Sequence, residues 1–234
     1  MTSSFCRSVT CMVCAALVLV GGSVVAADST MRVGPKSFDF GFVPVDAKVY
    51  GHYWLVNDGT DSIHIQEVKP QCGCTAAPLT RDHIAPSDSL YLEIAFNSKG
   101  MHGWVHKRID VFYNDTAASP AQLYFSAKVG ETTGDIVVHP VDVHFDDFDK
   151  VKEDIVLENT GQDTYAIDVA TPPPPYIDYG FDRDSIPPGE RALMTVHLGD
   201  STPLGLYQTS MTLLLDGPIP HTISIPIKGT GYVR

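Results

Sequence analysis

Short runs of alternating apolar and polar residues recur along most of this chain. In residues 89–96, "SLYLEIAF", Leu90, Leu92, Ile94 and Phe96 share one face, while Tyr91 and Glu93 take the other. In "RIDVFY", Ile109, Val111 and Tyr113 oppose Asp110 and Phe112. A two-residue period sends one side of an extended chain into a core and the other to solvent, which marks a half-buried strand. Turn formers separate the runs: Asn57-Asp58-Gly59, Pro86-Ser87-Asp88, Asn114-Asp115, Pro188-Gly189 and Asp216-Gly217-Pro218. Beyond residue 27 no stretch shows the helical period of about 3.6 residues, so the predicted class is all-β.

The pattern occurs twice. "WLVNDGTDSIHIQEVKPQ" from Trp54 aligns with "VLENTGQDTYAIDVATPP" from Val156, and Asn57-Asp58-Gly59 falls on Asn159-Thr160-Gly161, 102 residues on. "DHIAPSDSLYLEIAF" from Asp82 meets "DSIPPGERALMTVHL" from Asp184 at the same spacing. Each copy ends on an alternating strand, "LYFSAKVG" and "TISIPIKG". About seven short strands per copy, regularly spaced, predict an antiparallel β-sandwich of immunoglobulin-like type. The expectation is two tandem domains with separate cores, residues 28–131 and 132–234, joined by the polar linker "GETTGD" at residues 130–135.

Residues 1–27 read as a secretory leader. Arg7 precedes the apolar run "VTCMVCAALVLV", and small residues lead to a cleavage site after Ala27. The apolar run is shorter than the ~20 residues of a spanning helix. The expected location is therefore periplasmic or secreted, with no membrane contact beyond the leader. The chain carries a net charge of −12, and loss of Arg7 makes the remainder more acidic still. Such a surface repels nucleic-acid phosphate and anionic lipid, which excludes both as expected partners.

The segment "FDFGFVPVDAKVYGHYWLVNDGTDSIHIQEVKPQCGCTAAPL" adds a resemblance. Phe38-Asp39-Phe40-Gly41, Asn57-Asp58-Gly59 and Cys72-Gly73-Cys74-Thr75 resemble a bacterial domain-of-unknown-function family with a Cys-Gly-Cys-Thr signature. That family is similar to Hydin/ASH-type immunoglobulin-fold domains and, more distantly, to the PapD-like chaperones and major-sperm proteins. The resemblance implies a sandwich fold and a scaffolding or binding role, with no activity. It extends to about Gly130. The second copy departs from it, carrying Pro174-Pro175-Tyr176 where the first has Cys72-Gly73-Cys74.

Cys72 and Cys74 are the two cysteines outside the leader. Alternate residues of a strand lie about 6.6–6.8 Å apart on one face. A disulfide needs Cα atoms ~4.4–6.8 Å apart, so a bridge requires a local bend, for which Gly73 is suited. Three readings stay open. The cysteines pack or bridge structurally; they are half of a copper or zinc site; or they form an exchangeable redox bridge. His83, Met101, His102 and His106 are the candidate completing ligands. His52, His64, His83, Met101, His102 and His106 align with Asp154, Ala166, Ser185, Pro203, Leu204 and Gln208, so none of these candidate ligands recurs at the matching position of the second copy.

Other features point less far. Asp146, Asp147 and Asp149 read as a solvated hairpin rather than a calcium loop, which needs more oxygen ligands at fixed offsets. The four prolines at 172–175 read as a rigid, solvated polyproline segment. There is no Gly-x-Ser-x-Gly elbow, no His-Glu-x-x-His and no phosphate-binding glycine loop. The chain therefore reads as a non-enzymatic structural or protein-binding module without a cofactor. It would hold a protein partner of the cell envelope by strand edges or loops. The alternative is a metal-handling or thiol-redox protein using Cys72 and Cys74.

Overall fold

The computed structural model describes residues 30–115, 117–130, 134–146 and 151–232. The leader and its cleavage site lie outside the described residues, as do linker positions 131–133 and Asp147 and Asp149. No helix occurs among the described residues.

The first unit contains β1 (Met31–Gly34), β2 (Ser37–Val43), β3 (Lys48–Asn57), β4 (Ile63–Pro70), β5 (Thr75–Ala76), β6 (His83–Ile84), β7 (Ser89–Asn97), β8 (Gly103–Tyr113) and β9 (Ala121–Val129). The second contains β10 (Ile136–His139), β11 (Val143–Phe145), β12 (Lys152–Asn159), β13 (Tyr165–Thr171), β14 (Ile177–Phe181), β15 (Ser185–Ile186), β16 (Arg191–Leu198), β17 (Gly205–Asp216) and β18 (His221–Gly231). Nine strands replace the expected seven or so. In each unit the first strand is divided between the two sheets, and one two-residue pairing (β6 or β15) is added.

Each unit is an immunoglobulin-like sandwich. One sheet runs β1-β3-β7-β5, matched by β10-β12-β16-β14. The other holds β9-β8-β4-β6, matched by β18-β17-β13-β15, with β2 and β11 running parallel to β9 and β18. The alternation closes two cores. Leu90, Leu92, Ile94 and Phe96 of β7 pack with Tyr53 and Leu55 of β3 and with Ile109 and Val111 of β8. Phe40, Phe96 and Phe125 meet at its centre with ring centroids 5.2–6.0 Å apart.

The repeated Asn-x-Gly has a common physical cause. Asn57 is fully buried, and its Nδ2 donates to the carbonyls of Asp61 and Ile84 at 2.8 and 2.9 Å. Its Oδ1 accepts from the Gly59 N–H. Asn159 repeats all three bonds with Asp163, Ile186 and Gly161. A buried amide must be satisfied, and here it pins one turn to the next element in both units.

The cores are not fully separate. A plain two-residue period puts Phe38, Phe40 and Phe42 on one face. The register of β2 against β9 instead shifts between Asp39 and Phe42. Gly41 lies in this shift with φ +59°. As a result Phe40 and Val43 are buried in the first core, and Phe42 is buried in the second, beside Ile223 and Ile225. Phe42 also pairs with Ile223, so one sheet runs unbroken from β15 through β18 and β2 to β6.

Buried hydroxyls complete this seam. Ser224 donates to the Phe40 carbonyl at 2.8 Å and lies 2.9 Å from the Thr212 hydroxyl. Ser210 accepts the Tyr50 N–H at 2.8 Å. Their solvent shells are gone, so each bond spanning the units holds a group that would otherwise be unsatisfied.

Candidate functional site

The cysteines lie where the chain crosses from one sheet to the other. After β4 the Gln71 N–H bonds to the Arg108 carbonyl at 3.0 Å, and the Cys74 carbonyl accepts the Asn97 N–H at 2.8 Å. Thr75 N–H reaches back to the Cys72 carbonyl and closes the turn. Cys72 and Cys74 are joined as a disulfide with Cα atoms 5.2 Å apart, and the Thr75 hydroxyl lies 3.6 and 3.7 Å from the two sulfurs. Cys74 packs on the first core. Gly73 has no left-handed backbone and nothing within 4 Å of its Cβ position, so the bend does not depend on glycine there.

The histidines proposed as helpers are placed apart. His83 is exposed on β6, 3.3 Å from Asp82, opposite His64 at the far end of β4 from the cysteines. His102 is exposed beside Gly130. His106 stands on the outer face of β8 with its ring parallel to that of Trp104, centroids 6.1 Å apart. Met101 packs on the core. Among the described residues no three of His, Cys, Asp and Glu converge into a group that could hold a metal ion.

The bridge closes a very small loop, for which the chain-entropy account gives a modest stabilisation of about 1–2 kcal/mol. Cys72→Ser/Cys74→Ser is expected to lower the non-reducing melting temperature by several degrees. Differential scanning calorimetry of both proteins, with dithiothreitol added to wild type as a control, measures this.

A second cluster was not picked out by sequence reasoning. It lies on the outer face of the β1-β3-β7-β5 sheet. Cross-strand pairing sets His52 opposite Glu93 and Trp54 opposite Tyr91. The His52 ring stacks on Tyr91 at 4.8 Å, and Trp54 meets Tyr91 edge to face at 5.3 Å. Trp54 and Tyr91 are 43% and 41% exposed, large values for rings of this size on a folded surface. Burial lowers the His52 pKa, and its Nδ1 is buried without a hydrogen bond among the described residues. The imidazole therefore serves as a neutral, flat neighbour to the tyrosine. The legible signal was Trp54 itself, an indole at an outward position of an alternating strand.

The same sheet leaves main-chain groups available. Ser98 N–H bonds to the Ala47 carbonyl on the β3 side and Asn97 N–H to Cys74, so the ladder turns the N–H and C=O of Tyr91 and Glu93 away from β3. On that side β5 reaches only Phe96 and Ala95. In the second unit β14 continues along β16 to Met194. Pro78 stands where that strand has Gly180, and a proline has no N–H to continue a ladder. Among the described residues nothing hydrogen-bonds the Tyr91 or Glu93 main chain on this side. The corresponding face of the second unit is satisfied, with Thr195 donating to Asp154 at 2.8 Å and Leu193 N–H held by Asp182.

The proline run borders this cluster. The expected solvated segment is only partly so, with Pro172 and Pro175 exposed. Pro173 is buried, and residues 172–175 line a cleft of about 390 Å³ together with Tyr50, Tyr91, Glu93 and Ser210. Burial raises the Glu93 pKa, with the positive charge of Lys48 opposing the shift. Tyr176 is also pushed up, first by burial and then by Tyr50 and Glu93.

No curated protein matches the chain. Among solved structures it is similar to a protein of unknown function from Porphyromonas gingivalis W83, at 13% identity over 86% of this chain and 99% of that one, TM-score 0.34. It is similar to the ASH/PapD-like domain 7 of human CEP192, at 14% identity over 54% and 99%, TM-score 0.37. The CupB2 chaperone of Pseudomonas aeruginosa is similar at 6% identity over 82% and 98%, TM-score 0.34. Residues 31–129, which comprise β1 to β9, match the model of a family described as a protein of unknown function, DUF1573.

Proposed function

We propose that this chain is a non-enzymatic binding module of the cell envelope, with a leader removed after Ala27 and two units at residues 28–131 and 132–234. Its protein partner docks on the outer face of the first unit's β1-β3-β7-β5 sheet. One observation carries this reading: His52, Trp54 and Tyr91 form an exposed aromatic cluster beside unpaired main-chain groups, where the second unit is self-satisfied. Exposed tryptophan and tyrosine are the side chains that dominate interface energetics. Tyr91 and Glu93 would add main-chain hydrogen bonds to an extended partner segment. The Cys72–Cys74 bridge suits an oxidising compartment and here steadies the sheet crossing.

A photo-crosslinking residue at Val56, next to Trp54, tests the reading against its counterpart Glu158 in living cells. A discrete protein adduct is expected at 56 and not at 158. In the purified adduct partner, Trp54→Ala is expected to weaken binding by about 2 kcal/mol, roughly thirtyfold. Equal adducts at both positions, or an adduct indifferent to Trp54→Ala, would remove the face from consideration.

A further inference from the structure

The cleft between the two units shares Tyr91 and Glu93 with the aromatic face, and its lining favours one kind of side chain. Tyr50 and Tyr91 line the cleft, Tyr91 with one ring face already stacked on His52, and aromatic faces attract cations through their quadrupoles. Tyr50 already has the Lys48 Nζ 5.2 Å from its centroid. Glu93 makes no ion pair or side-chain hydrogen bond among the described residues, and Lys48 is the one charged neighbour acting on its titration. Its counterpart Thr195, by contrast, is bonded to Asp154. The four prolines at 172–175 bring carbonyl acceptors and no N–H donors, with the Pro174 carbonyl already taken by Ile177. The cleft thus presents aromatic faces, a carboxylate and acceptors, within a chain of net charge −12. A planar, donor-only cation matches each of these, and the guanidinium group is the side chain of that description.

We propose that this cleft receives an arginine side chain of the docking partner, its guanidinium between Tyr50 and Tyr91 and hydrogen-bonded to Glu93. The assignment rests on the proposed docking face and names what that face selects. A strand or loop crossing β7 lies about 4.8 Å from it, within the reach of an arginine side chain. The pocket exists only because the second unit supplies its proline wall. Selection of arginine is therefore a property of the joined pair.

The test uses the full mature chain, labelled with nitrogen-15, and two peptides as probes: Ac-Gly-Ser-Arg-Ser-Gly-amide and its citrulline analogue, which has the same shape without the charge. The arginine peptide is expected to shift the Tyr50, Tyr91 and Glu93 amide signals. Its affinity should exceed that of the citrulline peptide by about tenfold and fall by a similar factor in Glu93→Gln. Circular dichroism of Glu93→Gln should match wild type, since this side chain supports no part of the core. Equal binding of both peptides, undiminished binding to Glu93→Gln, or no shifts up to about 10 mM peptide would each overturn the assignment. A surviving crosslink at Val56 with any of those results leaves the docking face in place and discards arginine as what it selects. Loss of the crosslink removes the face itself.

Discussion

Replacement of Gly41 by alanine is expected to destabilise the protein by about 2–5 kcal/mol. Two contributions add. Gly41 has φ +59°, where an L side chain costs about 1–2 kcal/mol. A Cβ built there would lie 1.7 Å from the Thr222 carbonyl oxygen and 2.2 Å from its carbon. Both are backbone atoms, so no rotamer relieves the overlap; β2 and β18 must separate, at a further cost of about 1–3 kcal/mol or more. Gly189→Ala is the control. It has φ +72° and nothing within 4 Å of the added carbon, so it bears the dihedral penalty alone. Urea unfolding of the three proteins measures the difference. Equal losses at 41 and 189 would show that the seam gives way without resistance.

The second large effect is expected from Phe42→Ala, at about 3–5 kcal/mol for an aromatic ring lost from a packed core. Its location is the more telling result. Phe42 belongs by sequence to the first unit, yet it fills the second core beside Ile223 and Ile225. Native-state hydrogen exchange should therefore show faster amides in β17 and β18 than in wild type. Phe40→Ala, which empties the first core, should act mainly on β3, β7 and β9. Faster exchange confined to β2 and β9 in the Phe42 variant would contradict the shared core. Because the ring bridges the units, wild type should unfold in one calorimetric transition. The Cys72→Ser/Cys74→Ser protein should then shift that single transition, rather than the first of two.

The sandwich, its duplication and the matching turns at Asn57 and Asn159 were legible in the sequence because they rest on local rules: a two-residue period, turn formers and a constant spacing. What escaped depended on contacts between distant segments. A strict two-residue period would put Phe38, Phe40 and Phe42 on one face, and nothing in "FDFGFV" announces that the backbone turns left-handed at Gly41 and sends the third ring across the seam. The burial of Pro173 was not legible because the residues that share its cleft, Tyr50 and Tyr91, lie far away in the chain. The spacing of Cys72 and Cys74 allowed a bridge or half of a metal site. Only placement shows the histidines on separate strands and turns. The aromatic face was half visible: Tyr91 and Glu93 were assigned outward, but Trp54 and His52 joined them only once the pairing of β3 with β7 was known.

The unbroken sheet through Phe42 and Ile223 has one more consequence. An excised first half would inherit an orphaned aromatic ring and an uncapped carbonyl at Phe40. A free second half would keep Ser224 with only the Thr212 hydroxyl beside it, the Phe40 carbonyl being gone. Each fragment would be sticky along the wound, so the two copies complete one another at this seam.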